Sequence, residues 1–277
     1  MKLIADSGST KTDWVLIDAE PQFFTSPGLN PNILPDDLIV NELQKISTLT
    51  ENKSAITEIY FYGAGCASPE NSTRLASIFK EMFAAAVVVI KSDIEGAAIA
   101  ANNGNPGIVA ILGTGSNSCF FDGEKIFGGD FSLGYILGDE GSGSYFGKRL
   151  LRDYFYRLLP EDLYEAFKDK YHIVRNDVIE KVYRNSAPNE FIASFLPFYK
   201  EHIQHPYCNY FINFGLEEFI KIYIWRFSNY KAVDVNFVGS VAFHFEEQLR
   251  AVCAKLTIKP GRIIASPIQG LLQYHSQ

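Results

Sequence analysis

The sequence predicts an α/β protein of two similar lobes, one from each half of the chain. The first observation is a repeat: residues 3–18 and 110–122 each contain an apolar strand, a Gly/Ser/Thr turn and a second strand ending on Asp. The second is the order that follows, in which short apolar runs alternate with segments of helical periodicity. That order is typical of a mixed sheet covered by helices. We place the lobes at residues 1–104 and 105–277.

The first half should begin with three strands and continue with alternating helices and strands. Apolar runs that end at Gly, Pro or Asp predict strands at residues 3–5, 12–17, 22–25, 58–62 and 87–90. Segments with one apolar face predict helices at residues 35–46, 71–83 and 94–101. Asp36 and Asp37 support the first helix, because acidic residues are favoured in a first turn.

The second half repeats the strands but carries a long helical insertion. Strands are predicted at residues 108–112, 118–121, 125–127, 235–238 and 263–265, and helices at 241–254 and from 267 onward. The insertion, at about residues 148–230, is rich in Tyr and Phe. Such residues are typical of a core, and a homodimer face is the alternative. We expect the last helix to pack either in its own lobe or back on the first.

Composition and charge exclude several classes of function. The net charge is −7 and no Lys/Arg-rich block occurs, so no nucleic-acid partner is expected. The apolar run at residues 1–5 is too short for a signal peptide, and no run would span a bilayer. A cytoplasmic protein without a membrane partner is therefore predicted. Four cysteines lack disulfide or zinc-ligand spacing and should be free thiols: Cys66, Cys119, Cys208 and Cys253.

Two glycine turns are the first candidates for chemistry. The turns at residues 6–11 and 113–116 are rich in Gly, Ser and Thr, whose small side chains let backbone N–H groups approach an anion. Neither matches the phosphate loop G-x-x-x-x-G-K-[ST], and neither leads into a helix as G-x-G-x-x-G does. A pair of such turns, each opening a repeat, predicts that both line one cleft and hold phosphates.

Three motifs resemble a known superfamily. Asp6-x-Gly8-x-Thr10-Lys11 resembles the first phosphate motif of the acetate kinase, hexokinase, heat-shock chaperone and actin superfamily. The segment 113–116 resembles its second phosphate motif, and 237–242 resembles its adenosine motif between a strand and a helix. The resemblance implies a two-lobed, actin-like (ribonuclease H-like) fold of duplicated βββαβα lobes.

A closer resemblance is to the N-acetylglucosamine kinase branch, grouped with the BadF/BadG-type ATPases. The similar segments are residues 28–32, 92–97, 111–117 and 137–142, so motifs run from Asp6 to Ala242 and avoid only the insertion. The resemblance implies an ATP- and Mg²⁺-dependent kinase of an amino sugar, most of all N-acetylglucosamine or a related N-acetylated hexosamine. A small-molecule sugar is the expected partner.

The resemblance also assigns roles to residues. Asp6 would orient magnesium, and Asp93 would be the general base. Nucleotide contacts would come from Gly8, Ser9, Thr10, Lys11, Gly113, Thr114, Gly115, Gly239 and Ser240. Sugar contacts would come from Asn32, Asp93, Ser116, Asn117 and Asp139.

Simpler roles for the same residues remain open. Asp93 stands directly before a predicted helix and could be only its N-cap. Asp139 and Glu140 could only complement a helix dipole. Asn32 could be a plain turn residue between prolines, and Lys11 a solvated charge.

The segment before residues 137–142 departs from the branch. Amino-sugar kinases often have Gly-Trp-Gly there, whereas this chain has Ser132-Leu133-Gly134. Losing an aromatic wall puts the sugar in doubt, so N-acetylmuramic acid, glucosamine and N-acetylmannosamine stay open, as does the hydroxyl that is phosphorylated.

Two other functions compete with the kinase. ATPase activators of 2-hydroxyacyl-CoA dehydratases hold an iron–sulfur cluster with paired cysteines, and this sequence has no closely spaced pair. A sugar-sensing regulator would normally add a DNA-binding segment, which does not fit before Leu3.

Overall fold

Each half of the chain forms a five-stranded mixed sheet in the computed structural model, which describes residues 1–184 and 187–276. The first sheet contains β1 (Lys2–Ser7), β2 (Lys11–Ile17), β3 (Pro21–Pro27), β4 (Glu58–Gly63) and β5 (Val87–Ser92). The second contains β6 (Gly107–Leu112), β7 (Ser116–Phe121), β8 (Ile126–Gly128), β9 (Val235–Val238) and β10 (Pro260–Ile264).

The two sheets have the same topology. Their strand orders are β3-β2-β1-β4-β5 and β8-β7-β6-β9-β10, and in both the first three strands are antiparallel and the last two join in parallel. Each half has one strand more than the predicted βββαβα order, and it has more than two helices. The duplicated, two-lobed actin-like fold is confirmed.

Fourteen α-helices are found among the described residues, besides one π-helical turn. Those before β9 are α1 (Asp36–Gln44), α2 (Ser47–Glu51), α3 (Pro69–Met82), α4 (Asp93–Asn102), α5 (Gly134–Leu137), α6 (Gly143–Phe155), α7 (Glu161–Tyr171), α8 (Arg175–Tyr183), α9 (Pro188–Ala193), α10 (Leu196–Glu201) and α11 (Pro206–Phe219). The others are α12 (Ser240–His244), α13 (Glu246–Lys255) and α14 (Ile268–His275). Within the described part of the chain, none is long and apolar enough to cross a membrane.

Parallel pairing brings the carboxyl ends of the central strands to one edge of each sheet. In the first sheet Ser7 of β1 pairs with Gly63 of β4, which pairs with Ser92 of β5. In the second sheet Ile111 of β6 pairs with Val238 of β9. Ligand-binding groups are commonly presented at such an edge. The two glycine turns and Asp93 all follow strands that end there.

Two helices cross between the halves. α4 packs its small and branched side chains on the second sheet, where Ile94, Ala97 and Ala101 share a buried cluster with Val109 and Val238. α14, from the end of the chain, packs instead on the first sheet. Its Ile268 and Leu271 are buried with Ile4, Val15 and Tyr62. Each sheet is therefore covered partly by a helix from the other half.

The insertion packs as one core with the second sheet. Four of its aromatic rings are fully buried there: Phe167, Phe198, Tyr199 and Phe219. Tyr154 stacks on Tyr164 with ring centroids 4.9 Å apart. The core interpretation of these aromatic residues is thus correct.

Three local features differ from the prediction. The helix expected at 241–254 is two helices, α12 and α13, because Phe245 leaves the helical conformation with a φ of −115° and buries its ring. The short helices α2 and α5 were not predicted. α11 continues into a π-helical turn, Ile220–Ile224, a register change that hydrophobic periodicity does not reveal.

Candidate active site

The two glycine hairpins face each other. The first joins β1 to β2, the second joins β6 to β7, and Thr10 Oγ1 lies 3.2 Å from Thr114 Oγ1 at their tips. These two threonines are 104 positions apart in sequence. The fold therefore brings the residues expected to bind phosphate to one place.

The first hairpin is fixed by its own strand ends. The Gly8 N–H donates to the Lys11 carbonyl oxygen at 2.9 Å. Ser7 and Thr12, which pair across the strands, have their hydroxyl oxygens 2.8 Å apart, and the Leu29 N–H donates to Ser7 Oγ at 3.0 Å. These bonds tie the hairpin to the strand base and to the chain after β3.

The second hairpin is held from behind by the start of α6. The carbonyl oxygens of Gly113 and Thr114 accept from the N–H groups of Gly143 (2.8 Å) and Ser144 (3.0 Å). Among the described residues, the Thr114 and Gly115 N–H groups donate to no protein atom, and the same holds for the Ser9 and Thr10 N–H groups. Unpartnered amides on both hairpins suit an anion such as a phosphate.

Gly239 lies directly against the second hairpin. Its φ is +119°, and a Cβ there would come within 3.2 Å of the Gly113 nitrogen and closer still to the Leu112 carbonyl. Only glycine permits both the conformation and the approach. Ser240 follows as the exposed first residue of α12. The expected adenosine-binding residues thus adjoin the expected phosphate-binding residues.

Three carboxylates lie at the carboxyl edge of the first sheet. Asp6 pairs across the strands with Asp13, and the charge of Asp93 also acts on Asp6. Asp13 was missed in the sequence because a strand that alternates inward and outward positions does not reveal its cross-strand neighbours. The Lys11 side chain is 57% exposed, in keeping with a solvated charge, and its Nζ is paired with Asp13 Oδ1 at 2.8 Å.

Burial, with the nearby charges of Asp93 and Asp13, raises the pKa of Asp6 to about 8, although Lys11 opposes the shift. Among the described residues the Asp6 carboxylate has no hydrogen-bond or ion-pair partner, so a cation would relieve an uncompensated charge. No cluster of three or more metal-ligating side chains occurs in the part of the chain that the structure describes. Magnesium commonly binds one or two carboxylates and keeps water and phosphate ligands, so this donor set fits it.

Ser92, rather than Asp93, caps helix α4. Ser92 Oγ accepts from the Glu95 N–H, and Glu95 Oε2 accepts from the Ser92 N–H, which completes a capping box. The N-cap alternative for Asp93 is therefore wrong. The sequence contained this signal, since Ser92 and Glu95 have the spacing of a capping box.

Asp93 is consequently available for another role. It is the first residue of α4, and burial raises the pKa of its carboxyl above the ordinary value, while a bond from the Ile94 N–H lowers it. Its charge also raises the pKa of the Cys66 thiol, after burial, so the two side chains are near each other. A half-buried carboxylate at the sheet edge beside the first glycine hairpin has the chemistry that a general base needs.

The side chain of Asp139 binds the second hairpin. It has a φ of +61°, and its Oδ1 accepts from the Ser116 N–H (3.2 Å) and from Ser132 Oγ (3.0 Å). Burial raises the pKa of this carboxyl, whereas those two bonds lower it. Its carboxylate thus binds the hairpin and not the amides of α6. Asp139 therefore does more than complement the dipole of that helix.

The Ser116 hydroxyl is engaged inside the protein. Ser116 is buried, and its Oγ donates to the Glu140 carbonyl oxygen at 3.0 Å. The side chain expected to face the sugar instead ties β7 to the loop before α6. Tyr223, on the π-helical turn, supports the same loop, because its hydroxyl accepts from the Asp139 N–H at 3.3 Å.

Asn117 links β7 to the segment after β8. Its Nδ2 donates to the Gly129 carbonyl oxygen at 2.8 Å, and its Oδ1 accepts from the Ser118 N–H at 2.8 Å. An amide has four hydrogen-bonding sites, so a second N–H and a second lone pair remain for a ligand.

Asn32 lies on an exposed loop beside the turn that follows β4. Asn32 is a residue of the turn at 31–33, and Asn30 stabilises this turn, since Asn30 Oδ1 accepts from the Asn32 N–H at 2.9 Å. Asn71 Nδ2 donates to Asn32 Oδ1 at 2.6 Å. Asn71 could not be found from the sequence, because this contact joins a loop to the first turn of α3, which is distant in sequence.

The segment that departs from the amino-sugar kinase pattern presents aliphatic side chains. Leu133, Ile136 and Leu137 are 69%, 71% and 74% exposed. Ser132 anchors the segment through its bond to Asp139. An open aliphatic surface therefore borders Asp139 in the segment 132–134 that departs from the Gly-Trp-Gly pattern.

Solved structures include relatives of the whole chain. A protein from Porphyromonas gingivalis, whose assignment as an N-acetylglucosamine kinase is provisional, is 38% identical over 99% of this chain and 98% of its own, with a TM-score of 0.93. A protein from Chromobacterium violaceum with the same provisional assignment is 17% identical over 99% and 98%, with a TM-score of 0.72.

The fold extends to more distant sugar kinases. A ROK family glucokinase from Streptomyces griseus, solved in complex with glucose and AMPPNP, is 14% identical over 98% of this chain and 96% of its own, with a TM-score of 0.57. No protein-family model and no curated protein matches the chain.

Proposed function

Because the chain belongs to the N-acetylglucosamine kinase family of actin-like sugar kinases, we propose that it transfers the γ-phosphoryl group of ATP to a hydroxyl group of an amino sugar. N-acetylglucosamine is the first candidate, since two relatives carry its name in their provisional assignments. Related N-acetylated hexosamines follow. Use of ATP as the donor would place the reaction in the cytoplasm.

The observation that carries this proposal is the position of Asp93. It stands at the carboxyl end of β5, released from helix capping by Ser92, at the same sheet edge as Asp6. A sugar hydroxyl is a poor nucleophile at neutral pH, so a base must accept its proton as the bond to phosphorus forms. Asp93 is the carboxylate that we assign to this step.

The nucleotide would lie between the two hairpins. The N–H groups of Ser9, Thr10, Thr114 and Gly115 would bind the phosphates, with the hydroxyls of Thr10 and Thr114 beside them. Gly239 and Ser240 would contact the adenosine.

Asp6 would hold Mg²⁺, with Asp13 as a neighbour whose negative charge adds to the site. When bound, the ion neutralises charge on the β- and γ-phosphates.

The acceptor sugar would lie between Asp93 and the loops that carry Asn32, Asn117 and Asp139. Asp139 is the buried acceptor at this site, and Asn117 keeps a free N–H. Ser116 would support the site through the Glu140 carbonyl rather than touch the sugar. The exposed Leu133 would meet the sugar with an aliphatic surface, which favours a substrate with an apolar substituent over one that needs aromatic stacking.

The test is an ATP-consumption assay over N-acetylglucosamine, N-acetylmannosamine, N-acetylmuramic acid, glucosamine and glucose, with each product mapped by NMR. At least one N-acetylated sugar should be phosphorylated at a single hydroxyl, with kcat/KM at least tenfold above that for glucose. ATP hydrolysis that no sugar stimulates would contradict the proposal and favour an ATPase role. Preferred phosphorylation of glucose would retain the kinase but refute the amino-sugar assignment.

A further inference from the structure

The side chain of Asn71 contacts the sugar-binding candidate Asn32. Asn71 Nδ2 lies 2.6 Å from Asn32 Oδ1 and 2.9 Å from the Gly65 carbonyl oxygen. The Asn71 side chain is not needed to cap α3, because Ser68 Oγ accepts from the Asn71 backbone N–H at 3.2 Å. It is therefore available to hold the two neighbouring loops.

Hydrogen-bond chemistry fixes which end of each amide faces the other. A backbone carbonyl can only accept, so the atom of Asn71 next to the Gly65 oxygen must be its NH₂ nitrogen. The same nitrogen lies against Asn32, which must then offer its oxygen. The NH₂ group of Asn32 is left over, and within the described residues it donates to no protein atom.

Gly65 makes this arrangement sterically feasible. Its φ is +81°, and a Cβ at this position would lie 3.0 Å from Asn32 Nδ2 and would collide with Asn30 Oδ1. Asn30 in turn accepts from the Asn32 backbone N–H. The backbone of Asn32 is thus held by Asn30 and its side chain by Asn71.

This contact lies beside the proposed base. The turn that contains Gly65 follows β4, and Gly63 at the end of β4 pairs with Ser92, the residue before Asp93. We propose that Asn71 is a positioning residue that orients the Asn32 NH₂ group toward the acceptor sugar. This inference rests on the proposed function. Asn32 then recognises a hydrogen-bond-accepting oxygen of the sugar, either a hydroxyl or an acyl oxygen, and not a group that can only donate.

Asn32→Asp is the decisive variant. A carboxylate at this position still accepts from Asn71 but cannot donate to the sugar. Calorimetric affinity for N-acetylglucosamine should therefore fall as far as it does in Asn32→Ala. Wild-type affinity in Asn32→Asp would show that Asn32 offers its oxygen to the sugar and would overturn the inference.

Asn71→Ala tests the positioning role. Loss of one neutral hydrogen bond should lower the affinity for N-acetylglucosamine by roughly 3- to 10-fold and raise the sugar KM to match. The ATP KM, kcat and melting temperature should change little. Ser72→Ala is the matched control, because among the described residues Ser72 Oγ bonds only to the Pro69 carbonyl in the same turn of α3. The double variant Asn32→Ala/Asn71→Ala should bind no more weakly than Asn32→Ala, and a multiplicative loss would refute positioning through Asn32.

A measurement without sugar separates this inference from the proposed function. The Asn71 side-chain NH₂ protons should exchange with solvent more slowly in NMR spectra than those of exposed Asn103. Asn32→Ala should shift the Asn71 NH₂ resonances, whereas Ser72→Ala should not. Fast exchange of the Asn71 protons would overturn the inference by itself. A wild-type protein that binds no amino sugar would instead refute the proposed function.

Discussion

The two glycine hairpins occupy equivalent places in the two sheets but carry different chemistry. Each joins the central strand of its sheet to an antiparallel neighbour. The first hairpin carries Asp6, Lys11 and Asp13. At the position of Asp6, two residues before the hairpin's first glycine, the second sheet has Ile111.

The carboxylate near the second hairpin has another use. Asp139 accepts from the Ser116 N–H and from Ser132, so it stabilises the hairpin and the loop beside it. Asp6 has no such partner among the described residues. The two hairpins are therefore alike in their backbone, and the carboxylates that we propose for a metal and for proton transfer lie in the first half. Substitutions can test whether charge-dependent chemistry belongs to the first half alone.

The largest effect should come from Asp93→Asn. If Asp93 is the base, kcat should fall by roughly 10²- to 10⁴-fold, because an amide cannot accept the hydroxyl proton. Stability should hold, since Ser92 supplies the cap. ATP affinity should change little, because the base acts on the acceptor sugar.

Steady-state kinetics and a thermal melt test this prediction. Asp37→Asn is the matched control, an exposed acidic residue in the first turn of α1. A folded Asp93→Asn protein with near-normal sugar phosphorylation would remove Asp93 from the mechanism.

Asp6→Asn should have the next largest effect. Turnover with MgATP should fall by roughly 10²- to 10³-fold, because charge on the transferred phosphoryl group is no longer neutralised from this side. Sugar affinity, measured by calorimetry without nucleotide, should stay within about threefold of wild type. An equal loss of sugar affinity and turnover would show that the role of Asp6 is wrong.

The uncharged parts of the two hairpins should contribute equally. Thr10→Val and Thr114→Val each remove one hydroxyl of a pair 3.2 Å apart at the hairpin tips. Each should raise the ATP KM by roughly 3- to 10-fold, the range for one neutral hydrogen bond, with little change in the sugar KM. A much larger effect of either substitution would show that the hairpins differ in more than charge.

The sequence predicted the repeated topology because that information is local. Apolar runs, glycine turns and helical periodicity mark each element where it occurs, and the order of elements is nearly enough to give the sheets. The functional residues that the sequence did not reveal are those whose contacts are not local. Asp13, Asn71 and Tyr223 act through contacts with distant segments, and nothing in their own neighbourhoods indicates those contacts.

Ser92 is a different kind of miss. The sequence contains the capping box of Ser92 and Glu95. Asp93, which lies between them, was nevertheless the residue considered as the N-cap of α4. A local signal was overlooked there, whereas the engaged hydroxyl of Ser116 could be found only from the tertiary structure. The two hairpins could be predicted from the sequence, while the partners that fix them could not.

The two helices that cross between the halves, α4 and α14, also differ, and their difference concerns the stability of the fold. α4 meets the second sheet with Ile and Ala side chains, whereas α14 meets the first sheet next to a histidine. His275 Nε2 lies 2.9 Å from the Tyr62 hydroxyl, and its ring packs against Tyr60 with centroids 3.9 Å apart. Burial first, and then the nearby charges of Lys2 and Lys91, lower the pKa of His275 to about 4, although Glu58 opposes the shift.

Acid should therefore weaken the docking of α14, an effect on stability and not on turnover. Because the pKa of His275 is lower in the folded protein than in the unfolded chain, the unfolded chain binds the proton first as pH falls. The stabilising effect of the neutral ring is complete above about pH 6.5 and is lost toward pH 4. Between pH 7 and pH 5 the free energy of unfolding should drop by about 1 to 2 kcal/mol more in wild type than in His275→Gln, after a discount for partial exposure. Urea unfolding of both proteins at the two pH values measures this difference, and the subtraction cancels carboxylates common to both. Equal slopes in the two proteins would show that His275 does not couple α14 to pH.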